Sequence, residues 1–444
     1  MQKEGIIFWR KQAHFWLFSC FLMVVSASVV CMLISRHFGE DWVYTWDTMI
    51  QTLNRNSPIH SFENGLFSID IQVPIYFMHY QYYAAPLHIP LWASLLWLIG
   101  FGLAASVLSA AITSFKRIYF LAGATLLIFL LISFRTDLIG IGGLYSKWWI
   151  SGAAILLLVG LNYYFHTFAK QISFTRKWLA NLFLWSVFLG TALFFSQEKV
   201  PAVFLAGYGM IIPYILSITT IFLVASELPY LFASLTTRHH ITGKFNLRNF
   251  HLIMVFYIGN LVLLYLKNTK VLVLDIFYLD DFYILAVSFI LGLWGIRYNP
   301  VFKLIVPEKL RTWVYAALVL SSCLTIFYFH SVANEAAVAA LEDFVVYSHL
   351  GFGLVFWIYT VFNFRGDQSK YAKTPFSTFF YEHQEEKAIP LYIARGMGFL
   401  IMGLLIYKEN AFAIRQSIGA YYGGLADIYF VHYSPTNHYL ADSL

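Results

Sequence analysis

Few side chains in this sequence are placed to do chemistry, and the carboxylates come first. Glu40 and Asp41 are adjacent near the start, and Asp280 and Asp281 are adjacent in the second half. Acids brought together from two such places can hold a divalent cation or divide the work of acid and base. Asp47, Asp275, Glu342 and Asp343 could join them. His79, His88, His330 and His349 offer imidazoles, and His330 with His349 at matched depth could ligate a haem. No Cys-x-x-Cys-His accompanies them, and a solvated or capped imidazole is the simpler account. Cys20 and Cys31 are 11 residues apart on one apolar stretch, so about 16 Å apart if helical, too far to bridge. Cys323 is also within an apolar run and reads, like them, as a small packing residue. There is no phosphate loop, His-Glu-x-x-His or Gly-x-Ser-x-Gly, and Gly140-Ile141-Gly142-Gly143 reads as a turn. These patterns lead us to expect no cofactor and no metal.

The elements that must position these groups follow from composition. The chain has 444 residues, 59% of them hydrophobic and only 12% charged, against about 25% charged in a soluble domain. Its mean hydropathy is +0.66. No water-soluble fold of this size hides so much apolar surface. A nucleic-acid binder, a disulfide scaffold and a disordered chain are excluded, and an all-α polytopic membrane protein is expected. Eleven apolar stretches approach the length of a crossing. They are Phe15–Ile34, Leu91–Ile112, Ile118–Phe134, Trp148–Tyr164, Trp178–Phe195, Val203–Ala225, Leu252–Leu266, Phe282–Ile296, Trp313–Phe329, Val345–Phe362 and Ile389–Tyr407. They are apolar on every face, unlike the alternating strands of an outer-membrane barrel. The first is longer than a signal-peptide core and reads as a retained anchor.

Basic residues in short loops stay on the cytoplasmic side. With the N-terminus inside and the stretches alternating, the inner segments hold 20 of the 29 basic residues and 7 of the 23 acidic ones. The inner face is then +13 and the outer face −7, and eleven crossings put the C-terminus outside. The net +6 is thus a collar for anionic membrane lipid, not a nucleic-acid signal. Charge inside the stretches is scarce. Glu227 ends the sixth, Asp280 and Asp281 open the eighth, and Arg395 is placed to snorkel to the inner interface. Asn162, Asn181 and Asn260 read as interhelical hydrogen bonders. Gly207, Gly209 and Pro213 predict a kinked or interrupted sixth helix, a form common around binding sites.

Residues 1–408 form the expected transmembrane domain, with an extracytoplasmic cap at 36–90. In the cap, Trp46–Leu53 reads as a short amphipathic helix and Leu66–Ile71 alternates at strand period. Tyr76–Tyr83 is aromatic enough for the headgroup belt. The inner loop Arg365–Ala388 reads as a solvated connector. Residues 409–444 form an outer tail. There Ala411, Ile414, Ile418, Tyr421, Tyr422, Leu425 and Tyr429 recur at helical steps, and Ser434-Pro435 starts a second helix. Leu425-Ala426-x-x-Tyr429 resembles the opening of a tetratricopeptide repeat, departing from it at Tyr433, where a small residue is expected. One repeat cannot bury its own apolar face, so the tail is expected to continue into a longer protein.

The layout is also similar to that of the GT-C membrane glycosyltransferases: a long first outer loop with an acid soon after the first span, about eleven spans, and an outward helical C-terminal domain. That resemblance implies sugar transfer from a lipid carrier, with Glu40 or Asp41 as the loop acid and Asp280 or Asp281 as the second. Three functions follow in order. The first is an integral anchor or scaffold in a bacterial cytoplasmic (inner) membrane, docking other protein subunits on the extracytoplasmic side. The second is a GT-C-like glycosyltransferase using a lipid-linked donor. The third is a carrier or lipid-handling protein.

Overall fold

The computed structural model describes residues 46–64, 67–82, 90–140, 149–237, 248–272, 281–296, 299–363, 389–409 and 411–433. Two long strands come first, β1 (Trp46–Asn64) and β2 (Phe67–Tyr82), paired antiparallel from Trp46 opposite Tyr82 to Asn64 opposite Phe67. The alternation expected at Leu66–Ile71 thus belongs to a strand from Phe67 onward. The amphipathic helix expected at Trp46–Leu53 is instead part of β1. Thr48, Ile50 and Thr52 favour extended backbone, and a full-length partner strand supplies the hydrogen bonds that about two turns of helix would have made internally. The register slips between Thr52 and Asn56 and again between Pro58 and His60. Pro58 and Pro74 flank these slips, as expected of residues that cannot donate to the ladder.

The other regular elements among the described residues are helices. α1 spans Leu91–Ile112, α2 Arg117–Ser133, α3 Trp149–Thr167 and α4 Phe174–Phe194. α5 (Pro201–Gly209) and α6 (Ile211–Thr237) follow, then α7 (Arg248–Asn268), α8 (Asp281–Gly295) and the short α9 (Pro300–Ile305). α10 (Arg311–Ser331), α11 (Glu335–Asn363), α12 (Leu391–Lys408) and α13 (Phe412–Tyr433) are the remaining described helices. Ten of the eleven expected stretches fall on these helices; Phe15–Ile34 lies outside the described residues. Among the described residues, eight helices are long and apolar enough to cross a membrane, and α2 and α8 are shorter apolar helices beside them. This is a multi-pass membrane architecture.

Contacts between helix ends sort them onto two faces. At one face Ser196 Oγ donates to the Ile139 carbonyl (3.0 Å), Tyr265 to Glu409 (2.8 Å) and Asn334 Nδ2 to the Ala420 carbonyl (3.0 Å). At the other, His166 Nδ1 bonds the Thr113 carbonyl (3.0 Å), Asn299 Nδ2 donates to Glu227 (2.7 Å) and Asn363 Nδ2 to the Ile389 carbonyl (3.1 Å). Four of the pairs join residues at or next to helix ends, and Ala420 of α13 and Glu227 of α6 are reached from such ends.

The centre is formed by α11, α10 and α1. Their apolar windows are 78%, 67% and 61% buried, against 22% for α12 and 28% for α3 and α7. α11 touches α6, α7, α8, α12 and α13, while α1 packs on α10 and α4. Small residues allow the approach, as membrane helices require. A Cβ on Gly351 of α11 would stand 3.0 Å from the Gly398 carbonyl of α12. Indole donors add direction: Trp178 Nε1 donates to Ser106 (3.0 Å) and Trp185 Nε1 to Ser109 (3.3 Å).

Candidate functional site: an apolar cavity beneath the last helix

Of the four candidate acids, Glu40, Asp41 and Asp280 lie outside the described residues. Asp281 is fully buried at the start of α8, with Lys267 Nζ at 3.7 Å and Asn268 Nδ2 at 3.5 Å from its Oδ2. It is held as a structural ion pair at the helix N-terminus, where a negative charge is favourable. His330 and His349 do not form a ligand pair. The His349 Nδ1–H donates to the Val345 carbonyl (2.8 Å), so Nε2 accepts from Ser288 (2.9 Å); His330 stacks edge-on against Phe282. Among the described residues no cluster of three metal-capable side chains occurs.

Arg395 does not snorkel. Its guanidinium meets Glu227 at 2.5 Å, and Asn299 Nδ2 donates to the same carboxylate oxygen at 2.7 Å. Glu227 is 1% exposed and Arg395 16%. α6 runs ten residues beyond Glu227 to Thr237, so the acid is inside the helix and not at its end. Asn299 also accepts from the Phe302 amide (3.0 Å), capping α9. One carboxylate thus pins α6, α9 and α12. The signal was present in the sequence: two lone opposite charges sit in apolar stretches assigned to the same face.

At the opposite face is a cavity of about 480 Å³, in the range of small-molecule sites (~300–1,000 Å³). It is framed by the α5–α6 junction, the α10–α11 turn and α13. The helix expected to break does so at Met210, between Gly209 and Ile211. Pro213 follows as the third residue of α6, where a missing amide hydrogen costs no intrahelical bond. Two glycines let neighbours close in. A Cβ on Gly209 would stand 2.5 Å from the Phe134 ring, and one on Gly207 would meet Ile428 of α13.

α13 lies on the bundle through a stripe of small residues. Ala413, Ser417, Ala420 and Gly424 recur at steps of four, three and four. Ser417 bonds the Tyr214 hydroxyl (2.7 Å), Asn334 donates to the Ala420 carbonyl (3.0 Å), and the Tyr208 and Tyr429 hydroxyls meet. The apolar repeat read from the sequence is therefore mostly the outer face: Ile414, Ile418, Tyr422 and Tyr429 are exposed. Small side chains pack closest, so they face inward, and the bulky ones bound the space left over.

That space is walled by Tyr214, Tyr328, Phe329, Phe344, Leu425 and Ile428. Its rim includes Ile211, Ile215, Ile414, Ile418 and Tyr422, with Ile418 55% and Tyr422 66% exposed. Ser417, Asn334 and Asp427 are its polar points. Burial raises the Asp427 carboxyl above its ordinary pKa, as desolvation of an anion requires. A rim of isoleucines and an aromatic wall suit a hydrocarbon chain. A chain leaving the bilayer gains no hydrophobic energy on entering; it gains dispersion contacts by filling the space. Selectivity then falls to the polar points. No protein-family model, curated protein or solved structure matches the chain.

Proposed function

We propose that this chain is a lipid-handling, multi-pass protein of a bacterial-type cytoplasmic membrane, taking the hydrocarbon chain of a lipid or lipid-linked molecule into the cavity beneath α13. The carrying observation is a 480 Å³ apolar space opening between exposed isoleucines of α6 and α13. In this reading there are eleven crossings, the N-terminus is inside and α13 is extracytoplasmic, which puts the basic turns at the cytoplasmic face. Glycosyl transfer from a lipid-linked donor would use the same space, with Glu40, Asp41 and Asp280 as its acids. Asp281, the one of the four acids among the described residues, pairs with Lys267 and does not line the cavity.

The test is lipid retention. Protein purified in mild detergent should carry a stoichiometric long-chain lipid by native mass spectrometry. Ile215→Trp and Ile418→Trp, which narrow the rim, should lose it while unfolding at the wild-type temperature. Empty wild-type protein, or variants as full as wild type, would defeat the proposal.

A second reading keeps the chain as an anchor for other subunits. It is favoured by the exposed Phe412, Ile414, Ile418 and Tyr422 on α13, which a tetratricopeptide-like neighbour or partner subunit would cover. Phe412→Glu, on α13 but outside the cavity lining, should then abolish co-purification of that subunit without altering lipid retention.

A further inference from the structure

A second polar site lies at the face opposite the cavity, where α1 and α3 end and α2 and α4 begin. These four ends adjoin: His166 near the end of α3 bonds the Thr113 carbonyl at 3.0 Å and stacks on Phe120 of α2 at 4.1 Å. Trp178 in the first turns of α4 donates to Ser106 of α1. Lys116, Arg117, Lys170 and Arg176 ring the two turns and are exposed, while Lys177 is 3% exposed. Among the described residues none of the five has a carboxylate within ion-pair distance. The N-terminal ends of α2 and α4 add to the positive potential, while the C-terminal ends of α1 and α3 offset part of it. α2 and α4 both start without a side-chain cap and without an acid in the first turn, so their amide hydrogens face outward as anion donors.

Beneath this ring, polar groups are buried without partners. Lys177 and Asn181 are one turn apart on the face of α4 that carries Trp185. Asn162 is on the buried face of α3, about 7 Å before its end by helix rise. That depth falls between those of Lys177 and Asn181 on the antiparallel neighbour. Both side-chain polar atoms of Asn162, and Oδ1 of Asn181, are buried with no hydrogen bond. Such groups cost free energy unless something bonds them.

We propose that this seam is a binding site for a phosphate-bearing anion, held by Lys177, Asn162 and the free amides of α4, with Lys116, Arg117, Lys170 and Arg176 as its field. An anionic phospholipid headgroup and free inorganic phosphate share that chemistry.

The experiment uses the full chain in phosphatidylcholine nanodiscs. One arm adds phosphatidylglycerol and follows its retention by native mass spectrometry and the unfolding temperature; the other adds inorganic phosphate alone. The wild type should retain phosphatidylglycerol and unfold at a higher temperature with it. Lys177→Gln should weaken retention about tenfold, the worth of one charge-assisted contact. Lys170→Gln with Arg176→Gln, both exposed, should weaken it severalfold and flatten its salt dependence while unfolding at the wild-type temperature without added lipid. A shift with inorganic phosphate alone supports the site and names a soluble anion as occupant. No response in either arm, or retention unchanged in both variants, overturns the proposal.

Discussion

The Glu227–Arg395–Asn299 cluster gives the sharpest test of how this bundle is held. Arg395→Met removes the cation from a carboxylate that is 1% exposed and leaves Asn299 still donating to it at 2.7 Å. Breaking a buried pair from one side costs about 3–5 kcal/mol. Individual polar contacts in membrane bundles often measure nearer 0.6 kcal/mol, because the unfolded chain in lipid finds other partners. The near-complete burial of Glu227 and the 2.5 Å approach place Arg395→Met in the upper range, at about 3 kcal/mol or more. Glu227→Gln should cost less. The amide still accepts from Asn299, and the freed guanidinium, 16% exposed, can move toward the interface. The double variant should recover most of the loss, with a coupling energy of about 2–3 kcal/mol. Reversible unfolding in bicelles, followed by denaturant titration, measures all four corners of the cycle. Single costs that add to within about 0.5 kcal/mol would refute the claim that this pair ties α6 to α12.

Other positions give independent readings. Gly292→Ala drives a Cβ into the Tyr315 hydroxyl, which donates to the Phe289 carbonyl. It should destabilise by about 1–3 kcal/mol, and adding Tyr315→Phe should restore part of that in the same titration. Trp185→Phe loses the 3.3 Å bond to Ser109 and leaves a void where the second ring of a fully buried indole packed, and thermal unfolding should register about 1–3 kcal/mol. Asp427 has its pKa raised by burial, so the folded chain holds its proton to higher pH than the unfolded chain does. Stability of the α13 region should therefore fall as pH rises from the ordinary carboxylate value through the raised one. Hydrogen exchange of α13 across that window should show the slope, and Asp427→Asn should remove it.

The membrane helices were legible because an apolar run of crossing length has few alternatives in lipid. Leu91–Ile112 matches α1 at both ends, and other helices run past their apolar parts at polar ends, by two residues at Arg311, ten at Glu335 and twelve beyond Ala225 in α6. Trp46–Leu53 was misread because eight residues carry both periods weakly, and the deciding partner strand lies up to 36 residues away at Tyr82. The pair of Glu227 with Arg395 spans 168 residues, beyond any local pattern, although the shared face of the two charges was a usable hint. The cavity was not legible at all. It exists because α13 folds back on its small residues, and inward packing of Ala413, Ser417 and Ala420 is invisible to a reading that looks for large apolar side chains.

The burial gradient among the helices has a consequence for biogenesis. α11, the most enclosed helix, follows some 330 residues of chain, so the translocon releases the periphery before the pillar it surrounds. α6, α7 and α8 all contact α11 and must wait in lipid until it arrives. α1, α3 and α4 can already join through His166, Trp178 and Trp185. Insertion would then proceed as an early subassembly around α1 and a late closure around α11, with Arg395 reaching Glu227 as the latch that completes it.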